Sequence, residues 1–128
     1  MKKELADYLN KETTILKASQ KVEREVIEAY CDCNSNLPWE ETSKRRNLNF
    51  KASESVSVLE AVKIMKKAVE SYNKFEPDLL TYLPKGSQVT IAREASVCIY
   101  VTPALKEIKA MGADEWNTDG NETRIWWD

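Results

Sequence analysis

Residues 88–102 alternate between two sets of side chains, and this pattern constrains the fold more than any other feature of the sequence. One parity is apolar apart from Arg93, and it comprises Val89, Ile91, Ala95, Val97, Ile99 and Val101. Such alternation is typical of a strand with one buried face. No Gly, Asn or Pro stands at Glu94-Ala95 to form a turn. We therefore predict one long strand with a bulge near Arg93, and a hairpin bent at Glu94-Ala95 is the alternative.

Two other segments show helical periodicity. Apolar residues recur over residues 3–31 at spacings of three, four and seven, which predicts an amphipathic helix about 43 Å long. Its apolar stripe either packs on the rest of the chain or pairs with another subunit, as in a coiled coil. A second amphipathic helix is predicted over residues 54–74, with Ser57 and Glu60 as a capping box.

Shorter elements are predicted in the remaining sequence. A proline followed by acids and then by bases predicts a helix over residues 38–46. Alternation predicts a short strand over residues 48–52, and a further proline introduces one helical turn over residues 77–83. Thr102-Pro103 is a hydroxyl cap followed by proline, which predicts a helix that ends at Gly112.

The C-terminal residues are predicted to form a hairpin. An Asp119-Gly120 turn would join a segment around Trp116 to a strand over residues 123–127. This register sets Trp116 opposite Thr123. Trp126 then points away from the face that carries Trp116, Ile125 and Trp127.

These elements predict a single α+β domain over residues 1–128, with a helical arm over 1–33 and an α+β body over 38–128. The arm is the long amphipathic helix, and the body is a small, mostly antiparallel sheet packed with two further helices. If residues 88–102 formed two strands, the order after the arm would become β-α-β-β-α-β, which is the ferredoxin-like order.

The composition predicts a globular protein of the cytoplasm. The chain has 19 basic and 21 acidic side chains and a net charge of −2, so no strong field attracts a nucleic acid or an anionic membrane. No apolar run approaches the roughly 18 residues of a membrane span, and no signal peptide is visible. Three cysteines, an odd number, indicate reduced thiols.

The sequence contains no histidine, and this argues against an enzyme. Imidazole is the usual general base near neutral pH and the commonest metal ligand. Cys31 and Cys33 stand one residue apart, and with Cys98 they supply three thiols, which does not match a structural zinc site. We expect no catalytic residue, no metal and no cofactor. An enzyme that works without histidine chemistry is the rival class.

Basic and aromatic residues indicate where an anion would bind. Arg45 and Arg46 lie in the densest basic run, and Trp39 and Phe50 flank it closely enough to offer stacking faces. The alternative is a solvated helix end. Arg93 lies on the apolar parity of a strand, where an unpaired charge is very costly. It therefore either forms a structural ion pair or holds a ligand anion between subunits.

Three of the four tryptophans lie in the last thirteen residues. Tryptophan is enriched at interface positions that contribute most to binding. Trp126 and its neighbour Trp127 point to opposite faces of a strand, so one indole is available to a partner unless both faces are buried. We predict a partner-binding surface formed by Trp126, Trp116 and Arg124.

The leading hypothesis is a non-catalytic binding protein that forms a homo-oligomer through its N-terminal helix. It would grip a protein partner as an inhibitor, an antidote or an adaptor. The alternative is that it sequesters a small anionic, nucleotide-like ligand in a pocket between subunits.

Overall fold

The computed structural model describes residues 19–108 and 111–128, which form an α+β fold around one antiparallel sheet. The elements in chain order are α1 over 19–34, α2 (Trp39–Arg46), β1 (Asn49–Lys51), β2 (Val56–Ser57), α3 (Val58–Ala68), a 3-10 helix (Pro77–Tyr82), β3 (Gln88–Glu94), β4 (Ser96–Thr102), β5 (Glu115–Asp119) and β6 (Glu122–Trp126). The sheet has the order β1-β3-β4-β6-β5, and β2 also pairs with β3.

The predicted N-terminal helix is confirmed over residues 19–34, and its predicted part over 3–18 lies outside the described residues. Within α1, Val22, Val26 and Tyr30 are fully buried in the same core as the sheet. This part of the apolar stripe therefore packs on the chain's own body. Among the described residues, no helix combines the length and the apolar character needed to cross a membrane.

One face of the sheet forms the core under α1 and α3. Alternate residues of β3, β4 and β6 point to this face, because paired strands place directly opposed side chains on the same side. The fully buried members are Val89, Ile91, Arg93, Val97, Ile99, Val101, Thr123 and Ile125. The other residues of these strands form the second face, which we call the outer face.

The helix predicted over residues 54–74 is shorter in the structure. It is capped as expected, since the Ser57 hydroxyl accepts a hydrogen bond from the Glu60 N–H at 3.2 Å. However, α3 ends at Ala68, and Glu70 then adopts a φ of 50°. The chain turns back so that Phe75 is buried, with its ring centroid 4.9 Å from that of Trp127. Burial of Phe75 explains why the helix does not continue.

The prediction of one long strand over residues 88–102 is wrong, because β3 and β4 form a hairpin that turns at Ala95. Glu94 pairs with Ser96, so one residue makes the turn, and Ala95 has a φ of 59°. Arg93 lies opposite Val97. Odd-numbered residues therefore face the same side on both strands, and the alternation is identical to that of a single strand.

The helix predicted after Thr102-Pro103 is absent from the described part of this segment. The Thr102–Pro103 peptide bond is cis, and residues 103–108 form a loop. The Leu105 N–H donates to the Thr123 hydroxyl at 2.8 Å, which ties this loop to β6. Tertiary contacts override the local helix signal here. Within the described residues, the order after α1 therefore lacks the second helix of the conditional β-α-β-β-α-β order.

The C-terminal hairpin is confirmed, with a register shifted by two residues. The turn consists of Gly120 and Asn121, and Trp116 lies opposite Ile125 rather than Thr123. Gly120 has a φ of 61° at the first central position, where a type II′ turn takes glycine. A register shift of two residues keeps every side chain on its predicted face. The side chain of Trp126 therefore points to the face of the sheet opposite to that of Ile125.

Three shorter predictions are confirmed. The helix over 38–46 is α2, which begins one residue later than predicted, and the strand over 48–52 is β1. The helical turn over 77–83 is the 3-10 helix.

Candidate binding site

A buried ion pair joins α1 to the sheet. Arg93 projects from the core face of β3, has no exposed surface and donates from both terminal nitrogens to the carboxylate of Asp32, which is 3% exposed. Its Nη1 also donates to the carbonyl of Ala29 at 2.7 Å. Burial lowers the pKa of Arg93, but the hydrogen bond and the charge of Asp32 outweigh burial and raise it. Arg93 is therefore charged at neutral pH.

A cavity of about 510 Å³ lies beside this ion pair. It opens at the turn of the β3–β4 hairpin and is enclosed by α1, α2 and the segment after α3. Its lining comprises Asp32, Cys33, Thr42, Arg46, Tyr72, Asn73 and Ala95. Burial raises the pKa of Tyr72, and burial together with Asp32 raises the pKa of Cys33 to about 11. The phenol and the thiol are thus both protonated at neutral pH.

The residues predicted to bind an anion are only partly brought together. Arg46 lines the cavity, and Arg93 reaches it through Asp32. Arg45 instead donates to the carbonyl of Glu28 at 2.7 Å. Trp39 and Phe50 were predicted to offer stacking faces to an anion, but neither residue lines this cavity.

Trp39 is 78% exposed at the start of α2, and Phe50 lies on β1 opposite Arg93.

Sequence reasoning missed Asp32 and Tyr72. A carboxylate partner for Arg93 follows from the cost of an unpaired buried charge, but the chain offers 21 acidic residues and the pattern does not say which one.

Two of the three predicted partner-binding residues lie in a network on the outer face. Arg124 donates to Glu94, with its Nε at 2.9 Å, and also to Glu115 at 3.1 Å. Trp126 is half-buried, and its Nε1 donates to the Glu94 carbonyl at 3.0 Å. The hydrogen bond with Arg124 lowers the pKa of Glu94. These side chains already have partners within the chain.

Trp116 lies apart from that network, on the core face of the edge strand β5. Its indole is 47% exposed, whereas Trp127 is fully buried. All five residues of β5 are exposed, and within residues 19–108 and 111–128 no helix covers this end of the sheet. The structure thus separates Trp116 from Arg124 and Trp126, which sequence reasoning had grouped with it.

A smaller cavity of about 280 Å³ lies at the pairing of β1 with β3 and brings together two of the predicted anion-binding residues, Phe50 and Arg93. A cavity of about 710 Å³ lies at the opposite end of the β3–β4 hairpin, between residues 82–87 and 103–108, and contains none of the predicted residues. Among residues 19–108 and 111–128, no group of three or more Cys, Asp or Glu residues could hold a metal ion. No family model, curated protein or solved structure matches the chain.

Proposed function

We propose that the chain is a non-catalytic binding protein that docks an extended, basic segment of a partner protein along β5. The observation that carries this proposal is an exposed edge strand that bears a half-exposed tryptophan. Strand addition to a sheet edge is a recurring mode of peptide recognition, in which main-chain hydrogen bonds supply affinity and alternate side chains supply specificity.

The hydrogen-bond phase of β6 determines which backbone groups of β5 face outwards. Trp127 donates its N–H to the Val97 carbonyl at 3.0 Å. In an antiparallel ladder, bonded pairs recur every second residue, so Ile99 and Ile125 also exchange hydrogen bonds. The backbone of Ile125 therefore points towards β4 and not towards β5.

This alternation also determines which backbone groups of β5 bond to β6. Trp116 lies opposite Ile125 and Thr118 lies opposite Thr123, so both belong to pairs that are not hydrogen-bonded across β5 and β6. Asp114, just before β5, donates to the Trp126 carbonyl at 3.0 Å, which agrees with this assignment. The N–H and C=O groups of Trp116 and Thr118 hence point away from the sheet, where an added strand would bond to them.

The charge on β5 specifies a basic partner. Glu115, Asn117 and Asp119 lie on the outer face, and Asp119 is directly opposite Glu122 on β6. Like charges directly opposite each other destabilise a strand pair. Among the described residues neither Asp119 nor Glu122 has an ion-pair partner. A lysine or arginine from an added strand would relieve this repulsion.

The same charges disfavour a second copy of β5 as the occupant. Full antiparallel overlap of two β5 strands centres on Asn117 and sets Glu115 opposite Asp119 of the copy twice. An extended segment with basic residues on one face and apolar residues next to Trp116 fits better. The predicted homo-oligomer is a separate prediction, because it would form through the N-terminal helix, which includes residues outside the described part.

Two observations favour a non-catalytic protein: the lack of imidazole groups and the raised pKa of two of the three thiols. The sequence has no histidine. Burial raises the pKa of Cys98 to about 12, as it raises that of Cys33, so neither thiol ionises to a nucleophile near neutral pH.

Fluorescence anisotropy with a labelled peptide of alternating lysine and valine tests the proposal. The wild type should bind this peptide, and Trp116→Thr, which keeps a strand-forming residue, should bind at least tenfold more weakly. Asp119→Asn should weaken binding severalfold while raising stability by about 0.2–1 kcal/mol, because it removes the like-charge pair.

Two matched peptides serve as controls. A peptide of alternating glutamate and valine should not bind. N-methylation of the amides on one edge of the lysine–valine peptide leaves its other edge free, whereas N-methylation of both edges removes every N–H donor and places methyl groups where an added strand must approach β5. Equal binding of the fully methylated peptide, or equal binding by Trp116→Thr, would contradict docking along β5.

A further inference from the structure

We propose that the cavity beside the Asp32–Arg93 ion pair binds a small hydroxylated anion, a sugar phosphate or a sugar acid. The site does not depend on the proposed function, since it lies at the turn of the β3–β4 hairpin and uses no residue of β5. Its volume of about 510 Å³ lies within the usual range of roughly 300–1,000 Å³ for small-molecule sites.

The balance of charge in the cavity specifies an anion. Both oxygens of Asp32 accept hydrogen bonds from Arg93, so the two charges compensate each other. Arg46 adds a further positive charge, is exposed, and makes no ion pair with any described residue. A guanidinium fork suits the two-pronged recognition of a carboxylate or a phosphate.

The remaining polar groups specify hydroxyls on the ligand. An ionised carboxylate has about four acceptor sites, and Arg93 takes one on each oxygen of Asp32. Asp32 thus retains capacity to accept from a ligand hydroxyl. The Tyr72 hydroxyl makes no hydrogen bond within residues 19–108 and 111–128, and its raised pKa keeps it a donor. Asp32 and Tyr72 both belong to the lining of the cavity.

Two residues of the cavity lining have a backbone conformation that the fold imposes. Asn73 and Ala95 both line the cavity, with φ values of 52° and 59°. Positive φ is uncommon for residues other than glycine, and it persists where the surrounding structure determines it, often at ligand sites. In both cases a tight turn determines the conformation: Ala95 forms the β3–β4 turn, and Asn73 lies between the paired residues Tyr72 and Phe75.

Isothermal titration calorimetry with ribose 5-phosphate, gluconate and ribose tests the proposal and distinguishes the two anion sources. At least one anion should bind, and neutral ribose should bind at least tenfold more weakly, because it lacks the group that Arg46 recognises. Absence of binding by both anions at millimolar concentration would overturn the proposal, as would equal binding of ribose.

Variants locate the site. Arg46→Gln should weaken binding of the anion about tenfold or more, since a bond between two charged groups is lost. Lys44→Gln removes the same charge from the same helix outside the cavity and should change the affinity less than twofold. Tyr72→Phe should weaken binding severalfold. Equal effects of Arg46→Gln and Lys44→Gln would show only general attraction by α2 and would refute the assignment. These variants leave β5 intact, so failure here leaves peptide docking unaffected.

Discussion

Replacing Asp32 by leucine is expected to destabilise the protein by about 3–5 kcal/mol. Arg93 has no exposed surface, and its two terminal nitrogens bond to Asp32. Without that carboxylate, the Ala29 carbonyl is the one hydrogen-bond acceptor left to the buried cation among the described residues, beside the Tyr30 ring at 5.2 Å. An uncompensated buried charge, rather than a lost contact, makes the expected cost large.

The double variant Asp32→Leu with Arg93→Met tests this reason. Removing both charges while keeping similar volumes is often neutral or stabilising for a buried pair, so most of the single-variant loss should be recovered. The resulting double-mutant cycle should give a coupling of about 3 kcal/mol. The exposed pair Lys66–Asp78, with side chains 56% and 72% exposed, is the control. Asp78→Ala should cost about 1 kcal/mol or less.

Urea unfolding followed by tryptophan fluorescence measures these differences, with a linear extrapolation to water. Trp127 is fully buried, so its emission should change on unfolding. The reasoning would be refuted if Asp32→Leu cost less than about 1 kcal/mol, or if the two single variants added within about 0.5 kcal/mol.

Three further predictions concern the turn at Ala95, the ion pair of Glu94 on the outer face and the thiol of Cys98. Ala95→Gly should raise the free energy of unfolding by about 0.5–1 kcal/mol, because glycine adopts a φ of 59° without a steric penalty, whereas Ala95→Val should lower it. The hydrogen bond with Arg124 holds the pKa of Glu94 below its ordinary 4.5. Its stabilising effect is therefore complete above that unfolded-state value and is lost as the pH falls through the lower folded-state value. Glu94→Gln should make urea unfolding less dependent on pH below about 4.5. Burial raises the pKa of Cys98 to about 12, so mass spectrometry should detect iodoacetamide labelling of Cys98 only after unfolding.

Local signals predicted the elements that depend on neighbouring residues. The capped start of α3, the order of charges in α2 and the face of each C-terminal strand residue all follow from spacing and turn chemistry. The turn at Ala95 could not be predicted in this way. Its register keeps odd residues on one side of both strands, so a hairpin and a single strand give the same pattern. No turn-forming residue distinguishes them.

The site was predicted less completely than the fold, because it depends on contacts between distant parts of the chain. The position of Arg93 on an apolar parity correctly identified a buried charge. Its partner Asp32 lies 61 residues earlier on α1, and no local pattern connects the two. The exposure of Trp116 depends on which strands the helices cover, which becomes visible only after the sheet order is known.

Amide hydrogen exchange followed by NMR tests the central claim, docking along β5, most directly. In the free protein, the amides of Trp116 and Thr118 should exchange quickly and those of Glu115 and Asn117 slowly, because only the latter bond to β6. Addition of the lysine–valine peptide should slow exchange at Trp116 and Thr118. Unchanged exchange at both amides when the peptide is bound would contradict strand addition at this edge.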